Sequence, residues 1–279
     1  MKINIAKSSG FCFGVKRAIE IAFKTAELGQ KVEMLGDIVH NENVVREINN
    51  ARIKKIKRLA QGKNKILLIR AHGAPKKTFI KAFNLNYKII DATCPKVREI
   101  HRIVRESERK GYKIIIIGDK IHDEVQGISG QLKNKALIID NIKNVPLGKI
   151  NKIKKAAVVV QSTQNLENTL EIVKFLRAKI KELKFFNTIC KPTQTKQKEI
   201  KTLPLENDVM LIIGSKTSAN TKRLYEISKS LNKNSFWIQS KEDIKFSWFK
   251  NAQSAGITAG ASTPESAIKG VVELIKKIK

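Results

Sequence analysis

Residues 114–127 read Ile-Ile-Ile-Ile-Gly-Asp-Lys-Ile-His-Asp-Glu-Val-Gln-Gly. Four β-branched residues with no polar alternation predict a short strand buried on both faces, and the glycine and polar groups after them predict a turn leading into a helix. The same unit recurs along the chain. Apolar runs stand at residues 3–6, 32–35, 66–69, 88–90, 136–139, 157–160, 209–213, 235–238 and 255–257. Between them lie amphipathic stretches: Val15, Ala18, Ile19, Ala22, Phe23 and Ala26 share one helical face, and residues 166–182 and 264–278 behave alike. About ten strands alternating with helices predict α/β architecture with parallel sheets covered by helices. Gly10-Phe11-Cys12-Phe13-Gly14 lacks the G-x-G-x-x-G spacing of a dinucleotide fold, and three small α/β units fit the length as well as one large sheet. Seams are expected near Cys94-Pro95 and in residues 187–192, where strand-like runs give way to proline.

Composition narrows the function classes. The 279 residues carry 55 Lys+Arg against 25 Asp+Glu, a formal charge of +30. The lysines are spread over nearly every segment without interleaved aromatics, which favours solvated basic faces over a nucleic-acid module. The longest aliphatic run is far too short to cross a bilayer, so no membrane partner is expected. The start, Met-Lys-Ile-Asn-Ile-Ala-Lys-Ser, turns polar too early for a secretory core of ~7–15 apolar residues, so a cytoplasmic location is expected. Three cysteines do not make a disulfide framework.

In parallel sheets ligands bind beyond the carboxyl ends of strands, and chemically capable residues gather there. Asp37 to Asn41 contain His40, Arg70 to Pro75 contain His72, Asp91 to Pro95 contain Cys94, and Asp119 to Gly127 contain His122 and Glu124. Later strands end in Gln161-Ser162-Thr163-Gln164, in residues 214–221 with Ser218, Ala219 and Asn220, and in residues 258–264 with Ser262. Hydroxyl and amide groups at helix starts suit phosphate. His101, inside a helical stretch, is expected to be structural.

Cys12, Cys94 and Cys190 all stand at strand-to-helix junctions beside glycine or proline. Taken singly, each is an ordinary small core residue. They lie too far apart in sequence for a local Cys-x-x-Cys zinc knuckle. Three thiolates brought to one point can hold an iron–sulfur cluster and leave one iron without a protein ligand.

Seven motifs, in order, resemble the 4-hydroxy-3-methylbut-2-enyl diphosphate reductase family. They are Gly10-Phe-Cys-x-Gly-Val15, Val39-His40-Asn41, Ala71-His72-Gly73, residues 91–95, His122-x-Glu124-Val125-x-Gly127, Gly214-Ser215-Lys216-x-Ser218-x-Asn220, and residues 258–264. The resemblance runs from residue 3 to about residue 275. It implies a pseudo-threefold trefoil of α/β units, 13–94, 95–187 and 1–12 plus 188–279, around a central [4Fe–4S] cluster held by Cys12, Cys94 and Cys190. It further implies that His40, His72 and His122 contact the allylic diphosphate substrate. Ser218, Ala219, Asn220 and Ser262 would hold its diphosphate, Ser162 would lie near its alcohol, and Glu124 would supply a proton. The implied reaction is the reductive dehydroxylation that closes the methylerythritol phosphate route to isopentenyl and dimethylallyl diphosphate. Ferredoxin or flavodoxin would be the electron donor, and a charge of +30 favours an acidic one. The chain departs from the family at Gln161-Ser162-Thr163-Gln164-Asn165, where Gln-Thr-Thr-Leu-Ser is usual, and at Ala219, where serine is common. Ser162 keeps the hydroxyl, whereas Ala219 offers only its backbone N–H.

Two other classes fit parts of the pattern. A basic RNA-binding protein with a structural Cys/His zinc predicts colourless, zinc-bearing protein with steeply salt-dependent RNA binding. A cluster-bearing electron carrier leaves the histidine and Ser/Asn strand ends without a role.

Overall fold

A computed structural model describes residues 1–278. Twelve strands form three four-stranded sheets, and every strand pair is parallel. The strands are β1 (Lys2–Ile5), β2 (Lys31–Leu35), β3 (Ile53–Ile56), β4 (Lys65–Ile69), β5 (Lys88–Asp91), β6 (Lys113–Ile117), β7 (Leu137–Ile139), β8 (Lys155–Val160), β9 (Glu182–Phe185), β10 (Val209–Ile213), β11 (Ser235–Ile238) and β12 (Ser254–Ala259). The helices are α1 (Phe13–Ala26), α2 (Glu42–Asn50), α3 (Lys76–Asn84), α4 (Pro95–Arg109), α5 (Asp123–Ser129), α6 (Leu147–Ile150), α7 (Leu166–Lys179), α8 (Lys191–Glu199), α9 (Ala219–Leu231) and α10 (Glu265–Lys276).

The spatial orders are β3-β2-β4-β5, β7-β6-β8-β9 and β11-β10-β12-β1. All three follow one plan: the first strand of the set lies between the second and the third, and a fourth completes the far edge. In the last sheet that fourth strand is β1, from the other end of the chain. The chain forms two compact units. One comprises residues 1–16, 39–46 and 191–279 and holds the sheet of β1, β10, β11 and β12; the other comprises residues 17–38 and 47–190 and holds the other two sheets.

The run at residues 114–117 is β6, and its alternation splits it between two cores. Ile115 and Ile117 pack with Val158, Val160 and the α7 residues Ile172, Val173 and Leu176. Ile114 and Ile116 pack on the opposite face with Ala157, Val159 and the α4 residues Ile100 and Val104. Burying one such isoleucine contributes about 2–3 kcal/mol, so an acidic residue at position 116 would break the sheet.

Two strands escape the expectation of continuous apolar runs. β3 reads Ile-Lys-Lys-Ile and β9 Glu-Leu-Lys-Phe, and both are edge strands. An edge strand is covered incompletely, so charged residues replace the apolar run. For the same reason the edge strands β1 and β5 are only partly buried, against the expectation that each run is buried on both faces. Helix α1 begins at Phe13 rather than at Val15.

Candidate active site

In the larger unit, two cysteines sit in one repeated setting. Cys94 follows β5 and its N–H donates to the Ala71 carbonyl at 2.9 Å; Cys190 follows β9 and its N–H donates to the Ser162 carbonyl at 2.9 Å. Both acceptors are the second residue beyond the third strand of the sheet. Each cysteine is half-buried and stands next to a helix start, Pro95 of α4 and Lys191 of α8. Proline at the first helical position ends the strand without wasting a hydrogen bond, because an N–H there has no partner in the helix.

The same unit positions His72, His122, Glu124 and Ser162. His122 caps α5: its Nδ1 accepts the Glu124 N–H at 3.1 Å, which leaves its ring proton on Nε2. The His72 and His122 rings meet edge to face with centroids 5.5 Å apart. Glu124 is buried, with Oε1 accepting the Ser162 N–H at 2.6 Å and Oε2 2.7 Å from the Ser162 hydroxyl. The carboxyl and hydroxyl thus form a hydrogen-bonded pair at the end of β8.

Gly73, with φ of 74°, is where the chain after His72 passes His101; a Cβ there would come 2.9 Å from the imidazole Cε1. His101 is buried on α4, and burial, reinforced by the charge of Arg105 and opposed by Asp91, pushes its pKa down to about 4. It is a neutral packing residue, as its helical context implied.

In the smaller unit, Cys12 repeats the setting of the other two. It follows β1, and its N–H donates at 3.1 Å to the carbonyl of Ala261, again the second residue beyond the third strand. Lys16 N–H donates to the Cys12 carbonyl at 3.0 Å, opening α1. Gly10 has φ of 89°, and a Cβ there would lie 3.2 Å from Ile268 Cδ1. The left-handed turn that delivers Cys12 therefore needs glycine. Around α9, Ser218 caps the helix by accepting the Thr221 N–H at 3.3 Å. Asn220 is buried, and its Nδ2 has no hydrogen-bond partner among the described residues. Ser262 is buried and donates to the His40 carbonyl at 2.9 Å. Ala219 is half-buried in the first turn, where its carbonyl accepts from Arg223 at 3.1 Å. A buried amide donor without a partner, beside the N-terminus of a 13-residue helix, is a prepared place for an anion.

The LytB protein family matches residues 3–276. The chain belongs to the LytB family of reductases. It is 41% identical over 281 residues to the 4-hydroxy-3-methylbut-2-enyl diphosphate reductase of Campylobacter fetus, with 100% of this chain and 98% of the relative covered. It is 38% identical to that of Aquifex aeolicus, covering 99% and 96%. Among solved structures, (E)-4-hydroxy-3-methyl-but-2-enyl diphosphate reductase, described as the terminal enzyme of the non-mevalonate pathway, is 37% identical with a TM-score of 0.73 and covers both chains completely. The E-1-hydroxy-2-methyl-but-2-enyl-4-diphosphate reductase of Plasmodium falciparum is 27% identical with a TM-score of 0.91, covering 99% of this chain and 88% of that one.

Other residues of this LytB chain tie these strand ends together and were not singled out in the sequence. Arg70, at the end of β4, pairs with Asp123 in the first turn of α5 at 2.6 Å and ties the His72 strand end to the His122–Glu124 turn. Gln161 accepts the Asp119 N–H at 2.9 Å through Oε1 and joins the ends of β6 and β8. The signal available was position alone: both stand one residue past an apolar run.

Proposed function

We propose that the chain carries out the reductive dehydroxylation of (E)-4-hydroxy-3-methylbut-2-enyl diphosphate to isopentenyl and dimethylallyl diphosphate. The LytB family is one of iron–sulfur enzymes, and Cys12, Cys94 and Cys190 are the residues that would hold a [4Fe–4S] cluster here. The observation that carries this reading is the thrice-repeated cysteine setting. In each of the three sheets the loop after the fourth strand carries a half-buried cysteine whose N–H donates to the carbonyl of the second residue past the third strand. Three thiols so prepared fit a cluster with three protein ligands. The same repeat supports division into modules 13–94, 95–187 and 1–12 plus 188–279, and the trefoil with the cluster at its centre is part of the proposal.

When bound, such a cluster supplies electrons one at a time and an iron with an open coordination position. The C–O bond to the allylic hydroxyl breaks, two electrons and two protons are taken up, and water leaves. Glu124 is the acid for the leaving oxygen. Once protonated it donates to Ser162 Oγ, and the Ser162 hydrogen turns toward the substrate alcohol. Ser218, Asn220, Ser262 and the start of α9 bind the diphosphate through N–H and O–H donors, with Ala219 contributing its backbone N–H. His122 offers Nε2–H as a donor, and His40 and His72 complete the polar wall around the substrate. Protonation at either end of the resulting allyl anion gives the two products. The electron donor is an acidic ferredoxin or flavodoxin, matched to the charge of +30, and the enzyme works in the cytoplasm. Among the described residues no helix is long and apolar enough to cross a membrane.

Protein purified without oxygen should be brown, contain iron and sulfide in equal amounts, and convert the hydroxymethylbutenyl diphosphate when given a chemical reductant. Colourless protein that holds zinc, together with RNA binding that weakens steeply with salt, would overturn the proposal.

A further inference from the structure

Lys196 is 1% exposed and heads the largest fully buried side chains of the described residues. It lies on α8, and its Nζ donates to three backbone carbonyls, those of Ser8, of Gly10 at 3.2 Å and of Ala259 at 3.1 Å. Three carbonyl acceptors match in number the three N–H donors of an ammonium group. A cation taken out of water is costly, and it persists where the surrounding dipoles replace its hydration.

The three carbonyls are not a random set. Ser8 and Gly10 belong to the loop between β1 and Cys12, and Ala259 is the last residue of β12, two before the Ala261 carbonyl that receives the Cys12 N–H. Lys196 therefore grips both strands of the Cys12–Ala261 bond from below. One turn later on the same helix, Glu199 Oε2 accepts the Ser8 N–H at 3.1 Å and its hydroxyl at 2.6 Å. The side chains of α8 thus hold the loop at both its entry and its left-handed turn.

We propose that Lys196 is a positioning residue of the Cys12 arm, setting the geometry of residues 8–12 and placing its positive charge against the loop that carries Cys12. The inference rests on the cluster reading above for the effect of that charge, but the grip on the loop is independent of it. A buried positive charge stabilises the more negative, reduced state of a neighbouring redox centre, so removing it lowers the midpoint potential.

The test compares the full chain with Lys196→Met, Lys196→Gln and Lys196→Arg. Hydrogen exchange of the apo-protein should be roughly tenfold faster at residues 8–13 in the Met variant, the factor expected from losing hydrogen bonds to a charged donor. In anaerobically reconstituted protein the midpoint potential should fall in the Met and Gln variants and stay near the parent value in the Arg variant. If the Met variant does not fold, the Gln variant, which still offers two donors to the carbonyls, reads the potential and the exchange. Unchanged exchange and unchanged potential in folded variants, beside a parent that holds its iron, would sink the role of Lys196 and leave the cluster reading standing. A parent that takes up no iron would sink the cluster reading, while the exchange experiment would still judge the grip on the loop.

Discussion

Ser162 holds both carboxylate oxygens of Glu124, the backbone N–H on Oε1 at 2.6 Å and the hydroxyl on Oε2 at 2.7 Å. A single residue thus bonds both oxygens of the carboxyl, and in the proposed reaction its hydroxyl passes the Glu124 proton on. Glu124→Gln should fold and hold iron like the parent, with turnover lower by roughly 10²–10⁴, the usual worth of a positioned acid. Ser162→Ala should lose turnover and Ser162→Thr should restore it, measured as kcat with a chemical reductant. Full turnover in Glu124→Gln would move the acid role to another group.

His122 has an observed capping role and a proposed contact with substrate, and substitutions can separate the two. Its Nδ1 caps α5 by accepting the Glu124 N–H. Replacing it by alanine should cost about 1 kcal/mol of stability, whereas asparagine, a good cap, should cost little. Both variants should raise KM if the ring also touches substrate. Urea unfolding reads the first effect and steady-state kinetics the second; an unchanged KM in His122→Asn would confine the histidine to the cap.

Asn220 has a buried Nδ2 with no hydrogen-bond partner among the described residues. Removing a donor that is unsatisfied without ligand should leave stability unchanged or raise it slightly, whereas the bound diphosphate should lose about 1–2 kcal/mol of interaction. Asn220→Ala should therefore show an unchanged melting temperature and a KM higher by roughly tenfold. Asn220→Asp, which sets a carboxylate against the diphosphate, should bind worse still. A KM unmoved in both variants would place the anion elsewhere.

Acid should destabilise the larger unit through His101. Its pKa in the fold is about 4, below the ordinary value of 6.5, because burial disfavours the cation. Between those values the unfolded chain binds the proton and the folded chain does not. Stability is then complete above about pH 6.5 and is lost as pH falls toward 4, by about 2 kcal/mol between pH 7 and pH 5. Urea titrations at the two pH values should show that difference in the parent and a flatter dependence in His101→Leu. Equal slopes in both chains would exclude His101 as the cause.

How much of this was legible depended on whether a residue's role was local. The central strands were readable because Ile114 to Ile117 and Val209 to Ile213 are buried on both faces and need no polar side chain. β3 and β9 were not, since an edge strand with alternating lysine or glutamate looks like any polar stretch. The junction positions of Cys12, Cys94 and Cys190 were visible as strand ends beside glycine or proline. Their common N–H bond to a carbonyl across the sheet was not, because it joins residues distant in sequence, as Cys12 and Ala261 are. Lys196 was hidden most completely: one of 55 basic residues in a chain whose lysines look solvated, it is distinguished only by being buried.

The strand order β11-β10-β12-β1 has a consequence for how the molecule comes into being. β1, residues 2–5, pairs with β12, residues 254–259, which is made far later in synthesis. The segment carrying Cys12 must therefore wait for β12 before its sheet exists, while the two sheets that precede Cys94 and Cys190 can close from neighbouring segments as they emerge. The metal centre proposed for Cys12 would then be loaded only after β12 has been made.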